Sequence, residues 1–324
     1  DLGTFKHLAF ELRRVMDGHA SQQVWDDVFN WYAINEPEKA QLLVSGLSHN
    51  NMVQRLSEKA IQRAYEAPIK TSVSSLESYV LCPFKHLVSS GLKPIEVKTH
   101  TLSAPDVGIL FHKSLELFGR AISETNQEWE ALDRKSCDGI MEEIIYKMTD
   151  QEIYQSKFQY RYLIQKLNRV SKKAAWTLTE HLKKGAFTPK AFEVSFGEGG
   201  SVPPIFIELS NGEKLHIRGV IDRVDIVDIE GASYCKIIDY KSGSKHLSLS
   251  DIYHGLQMQL MVYLDACVGH PEYFNKSTLY PAGAFYFRID DPMVETTDQV
   301  LELVEKRIAS ALKLDGVVLD DVKV

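Results

Sequence analysis

The sequence is poor in cysteine, with four in 324 residues (Cys82, Cys137, Cys235 and Cys267) and no CxxC spacing among them. A chain this long builds its own core, so no disulfide scaffold is required and reduced thiols in the cytoplasm are expected. No apolar run nears the roughly 18–20 residues that cross a bilayer, so no membrane partner is expected. No GxxxxGK[ST] loop occurs, which excludes ATP hydrolysis by these residues alone. The opening DLGTFKHLAF lacks both an initiator Met and a basic-then-apolar leader, as expected of a piece of a longer polypeptide. Internal repeats and low-complexity tracts are also missing. Nor is there an excess of positive charge. Lys and Arg number 37 against 44 Asp and Glu, for a net charge of −7. That argues against coating nucleic acid by bulk attraction and leaves only a local basic surface for such a role.

What is present divides by period. Residues 1–70 read as helical throughout. Phe5, Leu8, Leu12 and Val15 repeat at helical spacing, as do Trp25, Val28, Phe29 and Tyr32, and further helices fit 38–44 and 52–67. Nothing in this segment carries chemistry, so it reads as a helical subdomain or docking segment. From Thr71, Ser74-Ser75-Leu76-Glu77 has capping-box spacing for a helix that carries Cys82 and ends near Gly91. Helices are then expected from Pro105 to about Ile122, over 129–148 and over 160–184. Strands follow at 191–196, 205–209, 214–227 and 234–241, with Asn211-Gly212 and Glu230-Gly231 as turns. A helix over 251–267, a strand over 284–289 and a helix over 298–314 complete an α/β or α+β core.

The chemistry concentrates in GVIDRVD (219–225) and KIIDYKSG (236–243). Strand residues i and i+2 share a face, so Asp239 and Lys241 project together about 7 Å apart. A hairpin turning between Glu230 and Gly231 places Asp222 across from Asp239. Two carboxylates and an ammonium then converge, and a hard divalent ion would relieve the repulsion between the acids. An isolated DxK on a strand is more often a cross-strand salt bridge, so its neighbours must decide. Strict alternation turns Asp225 away from Asp222, as a structural residue paired with Arg223 or a neighbouring strand.

Those neighbours resemble the PD-(D/E)XK nuclease superfamily, in particular its RecB-like branch, with GxxDRxD, DYKxG and QxxxY in order. Here these are Gly219 to Asp225, Asp239-Tyr240-Lys241-Ser242-Gly243 and Gln259-Leu260-Met261-Val262-Tyr263. An upstream GxLxH context is matched by Gly108-Ile109-Leu110-Phe111-His112, while Ile238 stands where the superfamily often has proline. The resemblance covers about 71–314. It implies a restriction-endonuclease-like α/β core, a mixed central sheet flanked by helices, preceded by a helical N-terminal segment (1–70). It also implies Mg²⁺ or Mn²⁺ held by Asp222, Asp239, His112 and the carbonyl of Tyr240, with Lys241 positioning the attacking water. Gln259 and Tyr263 would contact DNA or the lysine, and Glu193 would support the lysine or a second metal. For Glu116, one turn after His112, a solvated acid is the commoner reading.

The segment Ser74 to Phe84, SSLESYVLCPF, further resembles the start of the nuclease domain in AddB-type subunits of bacterial AddAB helicase–nucleases. There the Cys of CPF is one of four ligands to a [4Fe–4S] cluster, a role that falls on Cys82. No cysteine follows Cys267, so an intact cluster is expected only in the full-length protein. The resemblance implies an exonuclease acting on single-stranded DNA from a duplex end, with an AddA-type helicase–nuclease subunit as partner. Two other readings are a catalytically inactive scaffold that binds DNA or a subunit, and a stand-alone RecB-like CRISPR-associated exonuclease. No catalytic position is substituted, which disfavours the first; the 70-residue helical lead disfavours the second. Between Arg161 and Lys190, Lys166, Arg169 and Lys173 share a helix face that either tracks a DNA backbone or is simply solvated.

Overall fold

The computed structural model describes residues 2–49, 55–65, 68–95, 104–125, 128–150, 154, 157–243, 245–292 and 301–320. The chain forms two compact units, Asp1–Glu58 and Lys59–Val324. In the first, α1 (Leu2–Met16), α2 (Gln23–Asn35) and α3 (Pro37–Leu47) bury Leu8, Tyr32, Ala40 and Leu43 with Phe5, Trp25 and Val28 packed around them. The division falls before residue 70 because the intervening residues belong to the second unit. Beyond α4 (Glu58–Ala64), the Tyr65 hydroxyl bonds His86 Nδ1 at 3.1 Å, and β1 (Ile69–Ser72) pairs with the main sheet.

The second unit is built on a seven-stranded mixed sheet in the order β1-β4-β5-β6-β7, with β2 and β3 also paired to β4. Its organiser is β4 (Lys214–Ile229), whose β-branched run IRGVIDRVDIVDI suits a long strand. One half of β4 pairs with β1 and β3 (Ile205–Glu208), the other with β2 (Thr188–Phe196) and β5 (Ala232–Lys241). The β4–β5 turn has Ile229 opposite Ala232, with Glu230 at φ 51° and Gly231 at φ 85°, the two left-handed residues of a tight hairpin. Parallel pairing joins β5 to β6 (Tyr280–Arg288), and β7 (Asp315–Val318) closes that edge. Covered on both faces, β5 and β6 lose the polar–apolar alternation of a half-exposed strand.

Helices α7 (Ala104–Glu124), α8 (Arg134–Thr149) and α9 (Phe158–Lys183) contribute Phe111, Leu115, Met141 and Leu167 to a core with Ile238, Tyr240 and Phe287. A second core joins α5 (Val73–Leu81) and α11 (Gln259–Gly269) to Val194, Ile221, Val224, Ile237 and Tyr286. Neither edge strand β1 nor β7 was expected; each is only four residues long, too short for a period to show.

Several elements depart from expectation for identifiable reasons. The N-cap of α5 is Ser72, whose hydroxyl accepts from the Ser75 amide, so Ser74 and Glu77 form no capping box. The helix through Cys82 stops at Leu81; Cys82 is extended and caps α6 (Pro83–His86), which runs into a π-helical turn at Leu87–Leu92. The expected helix 251–267 is two, α10 (Leu249–Tyr253) and α11, because Gly255 is left-handed (φ 73°) and the chain folds back onto the Asp251 carbonyl. The helix expected over 129–148 becomes a 3-10 turn and then α8, divided by the Asp133 cap. Parts of the helices expected over 52–67 and 298–314 lie outside the described residues. What is described there is α4 and α12 (Leu301–Ala311).

Candidate active site

The hairpin register puts Arg223 across from Ile238, and hence Asp222 beside Asp239, as the turn residues required. Both aspartates are buried, at 6% and 2% exposure, which is costly for two acids unless each is well partnered. Asp222 Oδ2 accepts the Tyr240 amide at 2.5 Å and Oδ1 lies 3.1 Å from His112 Nδ1, a residue delivered by α7. Asp239 Oδ1 accepts from Gln259 Nε2 at 3.0 Å, and its Oδ2 lies 2.5 Å from Lys241 Nζ. Lys241 also donates to Gln259 Oε1 at 2.9 Å, and Gln259 Nε2 reaches the Tyr263 hydroxyl at 3.0 Å. One amide side chain therefore ties the lysine, Asp239 and Tyr263 together.

Gly219, the glycine of the first motif, serves close approach. A Cβ there would meet the Phe196 ring at 2.6 Å and Tyr263 at 2.8 Å, and those two rings pack edge-on with centroids 5.6 Å apart. The Gln259 amide is held from outside the motifs, by Glu77 Oε1 at 3.0 Å. Glu77 thus fixes the first turn of α11, the turn that carries Gln259. On the opposite parity of β4, Arg223 grips Asp225 with two bonds of 2.6 Å in the protein interior, and Lys236 lies 3.6 Å from the same carboxylate.

Glu193 enters the site from a third strand. It lies on β2 between Phe192, which pairs with Arg223, and Val194, which pairs with Ile221, and so stands across from Asp222. Its φ of 52° is unusual for a strand residue without a glycine's freedom. Ligand atoms of His112, Glu193 and Asp222 all lie within 4.8 Å of one another. Bonds near 2.1 Å to one octahedral ion would put such atoms roughly 3–4.2 Å apart, so the spread fits with little movement. Two carboxylates and an imidazole suit a divalent ion such as Mg²⁺ or Mn²⁺. Asp239 stands outside this trio: its Oδ1 accepts from Gln259, and its buried Oδ2 faces the Lys241 ammonium as an ion pair without a hydrogen bond in good geometry. Of Tyr240, it is the amide whose bond to the site is evident.

The electrostatics describe a site short of positive charge. Burial, reinforced by Asp222 and Glu116, pushes the Glu193 carboxyl up to about 7. Burial and the neighbouring Asp222 push Asp239 up to about 6, against the opposing pull of Lys241. Burial alone would lower the His112 pKa, yet the hydrogen bond and charge of Asp222, with Asp239 and Glu193 beyond, raise it above its ordinary value. Burial also lifts the Tyr263 phenol to about 12, so it stays a neutral hydroxyl.

Other expected residues lie elsewhere. Cys82 is partly exposed and its Sγ accepts the Lys85 amide at 3.4 Å, while Cys137, Cys235 and Cys267 are free thiols buried in the two cores. Glu116 is bonded by Lys113 at 2.7 Å and Arg120 at 2.8 Å. Two members of the basic helix face, Arg169 and Lys173, share one carboxylate, Asp291, at 2.5 and 2.8 Å, so about half of their charge is answered within the protein. The role of Glu77 escaped the sequence because its partner is an amide 182 positions away. The partnership of Glu193 with Asp222 depends on a β2–β4 register that no short turn fixes.

Known proteins bear on this geometry. The fifth-domain model of the ATP-dependent helicase/deoxyribonuclease AddB matches residues 2–46. Over its whole length the chain is 46% identical to the B subunit of the ATP-dependent helicase/deoxyribonuclease of Alkaliphilus metalliredigens and 45% identical to that of Alkaliphilus oremlandii. The same protein of a Thermoanaerobacter species is 40% identical over 93% of the chain. The chain spans about 29% of the length of the two Alkaliphilus relatives and 27% of the third. A family model of the PD-(D/E)XK nuclease superfamily covers residues 70–318, all of the sheet but its first residue and every residue of the site, and the chain belongs to that superfamily.

Proposed function

We propose that this chain is the nuclease domain of an AddAB-type helicase–nuclease, hydrolysing phosphodiester bonds of single-stranded DNA drawn from a duplex end, with an AddA-type subunit as partner. The observation that carries the hydrolytic reading is the meeting of His112, Glu193 and Asp222 within 4.8 Å, beside an Asp239–Lys241–Gln259 cluster. His112, Glu193 and Asp222 would hold Mg²⁺ or Mn²⁺, with Asp239 and the Tyr240 backbone bordering the ion. A bound divalent cation supplies Lewis-acid chemistry at the scissile phosphate.

The remaining work falls to the chain's own groups. Lys241 has three N–H donors; Gln259 and Asp239 engage its ammonium, leaving a donor for a phosphate oxygen or the attacking water. Gln259 fixes the lysine's direction, and Tyr263 fixes Gln259. His112 and Glu193, with pKa values raised from their ordinary ones, lose their protons more readily once a cation replaces them. A [4Fe–4S] cluster, if the full-length protein carries one, would draw only Cys82 from this chain, as the one cysteine of the four that is not buried. No membrane role is proposed, since among the described residues no helix is long and apolar enough to cross a bilayer.

The test is cleavage of a labelled single-stranded oligonucleotide in Mg²⁺ or Mn²⁺ by the wild type and by Asp239→Ala. Cleavage by the wild type and its loss in the variant is expected. Equal cleavage by both removes the catalytic assignment, and binding without cleavage by the wild type favours an inactive scaffold.

A further inference from the structure

Beyond Lys241 stand two cations that belong to none of the motifs, Arg288 at the end of β6 and Lys245 in the loop after β5. Parallel pairing sets Tyr286 beside Asp239 and Arg288 beside Lys241. The Lys241 ammonium lies 5.5 Å from the centre of the Tyr286 ring, and the Lys245 ammonium 5.4 Å from the same centre. Lys241 and Lys245 therefore share one buried ring, and Arg288 stands beside Lys241 on the neighbouring strand, with Lys245 and Arg288 roughly 30% exposed.

Neither extra cation is fully satisfied. Lys245 has Glu77 at 3.6 Å, well beyond the roughly 2.7–2.9 Å of a direct charged hydrogen bond, and Glu77 uses its other oxygen on the Gln259 amide. Arg288 Nε is buried without a hydrogen-bond partner, and its terminal nitrogens, which carry two N–H donors each, reach Asp290 at 3.1 Å and His246 Nε2 at 3.3 Å. Accepting from Arg288 makes His246 Nε2 the unprotonated nitrogen, so Nδ1 carries the proton and donates to Asp315, 3.2 Å away. Asp315 also accepts the Leu247 amide at 2.9 Å, which anchors this loop to β7. The guanidinium is thus oriented by a histidine and two aspartates while keeping donor capacity. A planar, oriented guanidinium beside an ammonium matches a phosphodiester.

We propose that Lys245 and Arg288 form a second phosphate-binding subsite, which takes the phosphodiester adjacent to the scissile one on single-stranded DNA. This rests on the DNA-hydrolysing reading above. The subsite holds the strand so that the scissile phosphate reaches Lys241, and it acts on binding more than on the chemical step.

The experiment measures binding of a fluorescent oligothymidine to the full chain, with Ca²⁺ in place of Mg²⁺, over a range of salt. Lys245→Gln and Arg288→Gln should each bind several-fold more weakly at low salt. The slope of log affinity against log salt should flatten by about 0.7 for each phosphate no longer engaged. Glu77→Gln keeps an oxygen for the Gln259 amide but removes the charge facing Lys245, and it should bind more tightly. Unchanged affinity and slope in the first two variants overturns the subsite, as does weaker binding with an unchanged slope, which marks structural damage. A wild type that binds in this way but does not cleave in Mg²⁺ or Mn²⁺ sinks the hydrolytic reading alone.

Discussion

Removing Arg223 exposes the energetics beneath the site. In Arg223→Met the Asp225 carboxylate, fully buried, loses two bonds of 2.6 Å and keeps only Lys236, 3.6 Å away. Breaking one side of a buried ion pair costs about 3–5 kcal/mol. Lys236 recovers part of the Coulomb attraction but makes no close hydrogen bond, so the lower end, about 3 kcal/mol, is expected. For a unit of this size that is a fall in Tm of roughly 10 °C. Arg223→Met combined with Asp225→Leu removes both charges from the interior and should regain most of the loss, since apolar replacement of a buried pair is often neutral or stabilising. Calorimetry or chemical denaturation of the three proteins decides the matter. A single variant within about 1 kcal/mol of wild type, or a double variant no better than the single, would refute the reasoning, because both rest on an uncompensated buried charge.

Other consequences follow from the same geometry. Burial and like charges raise Glu193 to about 7 and Asp239 to about 6, so the metal-free folded state holds protons that the unfolded chain releases near the ordinary values of 4.5 and 3.8. Its stability should therefore fall as pH rises from about 4 to 7, and stabilisation by Mn²⁺ should grow over that range; thermal melts with and without Mn²⁺ that move in parallel would contradict this. Gly219→Ala inserts a methyl against Phe196 and Tyr263, with an expected cost of about 1–3 kcal/mol in denaturant melts and a lower cleavage rate through displacement of Tyr263. A variant as stable and active as wild type would show that the rings move aside freely.

How far the sequence reveals this site depends on how local each determinant is. The Asp222–Asp239 pairing was legible because Glu230 and Gly231 adopt the two left-handed conformations that fix a hairpin's register. His112 and the Gln259-to-Tyr263 spacing were legible through the motif pattern, and helices α7 and α11 bring those residues to the aspartates. For Glu193 only the strand was legible, because the register that sets it across from Asp222 follows from packing across the sheet and its backbone is left-handed. The capping-box spacing at Ser74 misled because Ser72, two residues earlier, offers an equally good hydroxyl, which frees Glu77 to reach α11. Gly255 interrupts a pattern that otherwise reads as one helix; only its left-handed conformation shows the break. The basic face of α9 gave no hint of Asp291, more than a hundred residues on, which pairs with both Arg169 and Lys173.

The central claim is that His112, Glu193 and Asp222 hold a divalent ion at the Asp239–Lys241 cluster. Anomalous diffraction from a crystal soaked in Mn²⁺ tests it most directly. The account predicts one strong peak within about 2.5 Å of the His112 imidazole and of the Glu193 and Asp222 carboxylates. That peak should vanish in His112→Ala. A peak that bypasses these three side chains, or none at saturating Mn²⁺, would contradict it.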